Sequence, residues 1–222
     1  MKNHQELARE FEETLKLGSC LIGVRYSDKP DSRVDTERKL AACEAIDIVR
    51  REKAMVNLSS ETCSCIGGKY YLGLDPVPKE QIIKVVMDVH KMFASEQLAR
   101  QFLDNVPPPS GRGNFVVIAP LTEVTVEPDL VLSVCTAEQA NRIVSLLMYS
   151  GLKPFTYNLV SAGCTSLANP MVTGEIDINL ITDHARRRVP NFASNELIVA
   201  MPFEKFKEAS ANIPYAGAVI KC

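Results

Sequence analysis

Three apolar runs set the terms for this chain: Phe115 to Leu121, Leu130 to Val134 and Glu196 to Met201. Each has the length of a strand, and the first is bounded by Gly and Pro, as expected of a buried strand. Stretches of helical period alternate with strands along the chain. Asn3 to Leu17 places Leu7, Phe11, Leu15 and Leu17 roughly on one side and ends at Gly18. Arg38 to Glu52 and Ala137 to Tyr149 read as helices, the latter closed by Gly151. A long helix is predicted from Lys79 to Asp104, after Pro76 and Pro78, and a last one from Phe203 to Ala211. Further strands are predicted at Cys20 to Tyr26, Ala54 to Leu58, Phe155 to Val160 and Ile176 to Ile181. The alternation predicts a mixed α/β (α+β) fold: a layered sheet with packed helices, its two half-domains sharing one core.

Length fits a single α/β domain over residues 1–222. The Pro107-Pro-Pro-Ser-Gly-Arg-Gly113 tract marks an internal joint near 105–113. A net charge of −2 supplies no field that would steer the chain to nucleic acid or anionic lipid. The charged first stretch lacks the apolar core of a signal peptide, and no run reaches the roughly 18 apolar residues of a membrane span. A cytoplasmic protein is expected, with no nucleic-acid or membrane partner.

Seven cysteines stand out in that setting. An odd number without an export route argues against a disulfide framework and toward metal, cluster or redox chemistry. The competing role, for any one of them, is that of a small core hydrophobe. On a helical wheel, Ala41, Ala42, Ala45, Ile46, Ile48 and Val49 fill one apolar arc; Cys43 falls outside it, beside Asp47 and Arg50. That position suits a thiolate or a metal ligand near a cation. Cys63 and Cys65 flank one serine in an irregular segment before Gly67 and Gly68, whose small size and N–H groups suit an anionic sulfur. The spacing matches neither zinc ribbons nor ferredoxins. Cys164 lies among small residues in Ser161-Ala-Gly-Cys-Thr-Ser166, with room beside its sulfur. Cys20, Cys135 and Cys222 suit core or incidental roles. His4, His90 and His184 are too dispersed for a metal motif, and the basic run His184-Ala-Arg-Arg-Arg188 reads as a solvated face.

Cys43 in its helix, Cys65-Ile-Gly-Gly68 and Leu72-Gly-Leu74 carry a family likeness. It continues through Ile118-Ala-Pro-Leu121, Glu127-Pro-Asp-Leu-Val131, Gln139-Ala-Asn-Arg142, Gly163-Cys164, Pro170-Met-Val-Thr-Gly-Glu175 and Ile198-Val-Ala-Met-Pro202. Together these blocks resemble the domain-of-unknown-function 169 (ArCR) family from about Leu17 to Ala211. The resemblance brings no biochemical role with it, but it implies cysteines at positions 43, 65 and 164.

The expected function is a cysteine-ligated iron–sulfur protein, of the 4Fe–4S type, with Cys43, Cys63, Cys65 and Cys164 as metal ligands. Gly67, Gly68 and Arg50 are the cofactor-binding residues that would tune it. Alternatives are a zinc or soft-metal thiolate site without catalysis and a metal-free thiol redox or binding protein. Expected partners are a small molecule or a redox protein, with a homo-oligomer as the assembly.

Overall fold

A computed structural model describes residues 2–34, 38–151, 163–180 and 191–216. Six strands make one sheet: β1 (Ile22–Ser27), β2 (Val56–Leu58), β3 (Phe115–Pro120), β4 (Leu130–Thr136), β5 (Asp177–Asn179) and β6 (Glu196–Pro202). Their order is β2-β3-β1-β4-β6-β5, and every pairing is antiparallel. β1 lies between β3 and β4, so strands from both sides of the 105–113 tract share one sheet.

Both faces of the sheet are covered, which explains the unbroken apolar runs. Side chains alternate across a strand. Ile22, Val24, Leu130, Leu132, Val134, Ile198 and Ala200 enter one core, under α2 (Ala42–Glu52). Val131, Cys135, Leu197, Val199 and Met201 enter the other. That second core is closed by α1 (His4–Leu15), α6 (Ala137–Tyr149) and α8 (Phe203–Asn212), with the Phe11 and Phe206 rings 5.2 Å apart. The termini of these helices follow from their caps. Asn3 accepts from Glu6 N–H while Glu6 accepts from Asn3 N–H, and Thr136 and Gln139 repeat the exchange at α6.

A third group of helices sits on the α2 side: α3 (Ile66–Tyr71), α4 (Lys79–Lys84), α5 (Glu96–Asn105) and α7 (Thr165–Thr173). Tyr70, Tyr71, Ile82, Ile83, Val86, Ala99, Leu103 and Ala168 form their shared apolar cluster. Gly73 ends this first segment with φ +63°, and a Cβ there would stand 2.3 Å from the Pro109 carbonyl oxygen. The proline tract is therefore packed on the end of α3.

The structure corrects several expected boundaries. The helix predicted from Arg38 begins at Ala42, because Leu40 is held in a parallel bridge to Cys63: its N–H donates to Thr62 O, and its carbonyl accepts from Ser64 N–H. The long helix from Lys79 to Asp104 is two helices. A π-helical turn at Val85–Val89 follows α4, Lys91 turns left-handed at φ +50°, and Ser95 caps a fresh start at α5. Gly67 and Gly68 lie in α3, not in an irregular segment. The predicted strand Phe155 to Val160, the basic run at 184–188 and Cys222 lie outside the described residues.

Candidate functional site: a thiol cluster

The fold brings three remote segments together around the Cys65 sulfur. The bridge between Leu40 and Cys63 lays the start of α2 beside the loop that enters α3. Within that loop Ser59 and Thr62 tie the turn, the Thr62 hydroxyl accepting from Ser59 N–H at 2.8 Å. Cys65 is the N-cap of α3, and its Sγ accepts from Gly68 N–H at 3.2 Å. The Ala42 N–H, at the start of α2, also donates to that sulfur. Cys164, the N-cap of α7, completes the group from the far end of the chain.

Thiols complete the coordination of this sulfur. Cys164 and Cys63 both hydrogen-bond to Cys65 through their side chains. Cys63 is 1% exposed, and its Sγ also lies 3.6 Å from the Cys65 carbonyl oxygen. With donors on several sides, Cys65 is the group that gives up its proton: the Cys164 hydrogen bond first, then that of Cys63, hold its pKa far below an ordinary thiol, against the opposing effect of burial. Cys63 and Cys164 are pushed the opposite way, chiefly because each shares its proton with the Cys65 anion. The arrangement thus favours a thiolate at Cys65 over one at Cys63 or Cys164. Cys43, in the first turn of α2, is close enough for its charge to act on Cys164.

Gly68 gives the cluster its shape. A Cβ at that position would stand 2.7 Å from Cys65 Sγ and 2.8 Å from Cys63 Sγ. Only glycine lets both sulfurs rest against the helix backbone. Gly67, by contrast, faces open space. Among the described residues, no three His, Cys, Asp or Glu side chains are posed to close on one metal ion; the thiols are turned onto one another.

The remaining sequence candidates lie elsewhere. Arg50 is seven residues beyond Cys43, about 10 Å along the helix. Its guanidinium pairs with Asp47 at 2.9 Å and Glu196 at 2.7 Å, donates to Asn191 O and lies over the Phe192 ring. The Cys20 thiol donates to Val49 O at 3.6 Å. Cys135 belongs to the core on the opposite face of the sheet. His4 lies against Val124 O, 2.6 Å away.

Two neighbours of the cluster had no chemical motif to announce them. Tyr71, beside Cys164 in the helical cluster, is 3% exposed, and its hydroxyl has no hydrogen-bond partner. One turn into α7, a polar strip of Thr165, Ser166 and Asn169 faces Asp177 and Asn179 on β5, all of them buried. Asn169 Nδ2 donates to one Asp177 oxygen at 3.0 Å; the other has no partner. Burial raises the Asp177 pKa, and Asn169 and Ser166 only partly offset it. The folded protein therefore holds this proton more tightly than the unfolded chain does. Stability is fully present below the unfolded pKa of about 4 and falls as pH rises from there through the folded value. Asp177→Asn is expected to remove that fall. Urea titrations should show the variant gaining on the wild type from pH 4 to pH 7, with little difference at the acid end.

The fold and this site describe a mixed α+β protein with a partly buried cysteine cluster. The chain belongs to the DUF169 family, described as uncharacterised ArCR, whose model matches residues 10–212. An uncharacterized protein of Methanocaldococcus jannaschii is 23% identical to it over 233 aligned residues, covering 98% of this chain and 97% of that one. No solved structure matches the chain. Among the described residues, no helix is long and apolar enough to cross a membrane.

Proposed function

We propose that the chain is an iron–sulfur protein that holds a 4Fe–4S cluster through Cys43, Cys65 and Cys164, with Cys63 as the fourth thiolate. The observation that carries this is the gathering of thiols from α2, the α3 cap and the α7 cap around one anionic sulfur, against a glycine that leaves room for them. Soft thiolates are the donors that iron–sulfur clusters take. When bound, such a cluster supplies electron transfer or, at an iron without a thiolate, a Lewis-acid position.

The protein's own part is to hold, neutralise and shield. The donors around Cys65 favour its thiolate, and a bound cluster would require the protons of Cys63, Cys164 and Cys43 to leave as well. The N–H groups of Gly68 and Ala42 point at sulfur, where they favour negative charge. Gly67 has open space where a Cβ would stand and makes no approach to the sulfurs. Arg50 is committed to Asp47 and Glu196 and acts by fixing the line of α2. A redox protein or a small molecule is the partner this assignment requires, and a reducing compartment keeps the thiols available. The hydrogen bonds among the three thiols favour one other reading, a metal-free thiol redox protein.

Anaerobic purification with iron, acid-labile sulfide and zinc analysis decides among these. Broad visible charge-transfer absorption with iron and sulfide in equal amounts is expected, lost in Cys65→Ser and in Cys164→Ser but kept in Cys135→Ser. Colourless protein with stoichiometric zinc would replace the cluster by a soft-metal site. Colourless, metal-free protein after reconstitution would leave the thiol redox reading.

A further inference from the structure

We infer that α7 and β5 hold a dehydrated monovalent cation, sodium or potassium, between Asp177 Oδ2 and Ser166 Oγ, where it fastens the helix that Cys164 caps to the edge of the sheet. Neither oxygen belongs to the thiol cluster, so this site stands whatever the thiols hold.

Backbone geometry sets out the site. Asp177 and Asn179 stand opposite Ala200 and Ile198 in the β5–β6 pairing, on the face that α2 and α7 cover. Two residues of strand advance about 6.6 Å and four of helix about 6 Å, so two rungs fit between the elements. Asn169 Nδ2 donates to Asp177 Oδ1 at 3.0 Å, and Asn179 Nδ2 to Thr165 Oγ1 at 3.3 Å. Ser166 lies one turn before Asn169 on the same side of α7. Its hydroxyl stands close enough to ease the Asp177 charge without reaching hydrogen-bond geometry. Ser166 is 0% and Asp177 3% exposed, so bulk water reaches neither of the two oxygens left over.

Charge decides what fits between them. A carboxylate taken out of water needs a positive partner or a proton. Of the elements packed most closely on β5, α7 carries no charged side chain and β6 only Glu196, which Arg50 takes up. Asparagine at position 177 could meet Asn169 with its own amide oxygen and would bury no charge. What the carboxylate adds is an anionic second oxygen. Oxygen donors, one of them anionic, are the set that hard cations take. A single carboxylate balances one positive charge, whereas a divalent ion would leave a buried surplus. Without the ion, burial favours a proton on Asp177 and gives the pH-dependent loss of stability described above; the bound ion offsets that loss.

The test is urea denaturation of the purified full chain at neutral pH in tetramethylammonium chloride, a cation too large to enter, exchanged stepwise for sodium or potassium chloride at constant ionic strength. Past half-saturation, the wild-type folding constant should rise about tenfold for each tenfold increase in the ion. Asp177→Asn should stay flat. Ser166→Ala keeps the carboxylate, so its rise should begin at higher ion concentration. Below about pH 4, where the proton takes Asp177, the wild type should turn flat as well. Crystals soaked in rubidium chloride should give an anomalous peak beside Asp177 Oδ2. A wild type that neither sodium nor potassium moves, or an equal rise in Asp177→Asn, would overturn the inference. So would a water or a side chain found where the rubidium peak is expected.

Discussion

Gly68→Ala is expected to abolish cluster retention while leaving the sheet and its two cores in place. The added methyl group would fall 2.7 Å from Cys65 Sγ, 2.8 Å from Cys63 Sγ and 3.2 Å from the Ala42 Cβ. These neighbours have nowhere to go together: Cys65 is fixed as the cap of α3, Cys63 by its bridge to Leu40, and Ala42 as the first residue of α2. Overpacking of this kind costs about 1–3 kcal/mol. In a chain of this size that corresponds to roughly 2–4 °C in Tm for each kcal/mol. Gly67→Ala is the matched control. It lies in the same helix with open space around the new methyl group, so it should raise stability by about 0.5–1 kcal/mol and leave the site untouched. Iron and sulfide per chain, read beside a thermal melt, separate the two variants. Equal cluster content in both would show that the sulfurs tolerate a side chain at position 68.

The second large effect is expected at Arg50→Met. Arg50 and Asp47 have side chains 6% and 5% exposed, and Glu196 draws the same guanidinium to the end of β6. Removing the cation leaves the buried Asp47 carboxylate, among the described residues, with the solvent-open Arg51 pair and a long hydrogen bond from Asn191 N–H. It also strips the Phe192 face of its cation and Asn191 O of its donor. Breaking a buried pair from one side costs about 3–5 kcal/mol. Chemical denaturation should register that loss, whereas the absorption spectrum of the loaded protein should keep its shape. A changed spectrum at full stability would instead give Arg50 a direct part at the thiols.

Some of this was written plainly in the chain. The strands β3, β4 and β6 were legible because both faces are buried, which turns each into a continuous apolar run. The ends of α6 were legible because Thr136 and Gln139 form a reciprocal cap within four residues. The start of α2 was not, since the force that keeps Leu40 extended comes from Cys63, 23 residues later. The break near Lys91 was hidden because apolar spacing continues through the π turn. The glycines of α3 read as irregular chain, although Gly68 is there to admit sulfur. Pro170 similarly disguised α7, which carries it in its interior.

For the site, type and position were legible for Cys43, Cys65 and Cys164, while the geometry was not. The helical wheel set Cys43, Asp47 and Arg50 on one polar side and suggested a shared role. That side divides: the buried Asp47 and Arg50 turn to β6, while the half-buried Cys43 lies near enough to act on Cys164. Tyr71 and Asp177 escaped notice because a buried unpaired oxygen leaves no trace in residue spacing.

The separation of Cys65 from Cys164 also orders events in time. About a hundred residues divide them, and at roughly 5–20 residues per second a ribosome takes on the order of 5–20 s to add that stretch. The sheet cannot be completed before then either, because β5 and β6 follow Cys164 in the chain. During that interval Cys43, Cys63 and Cys65 are exposed thiols on an unfinished chain. The complete thiol cluster is a product of the finished fold, so on the proposed iron–sulfur reading loading would follow synthesis.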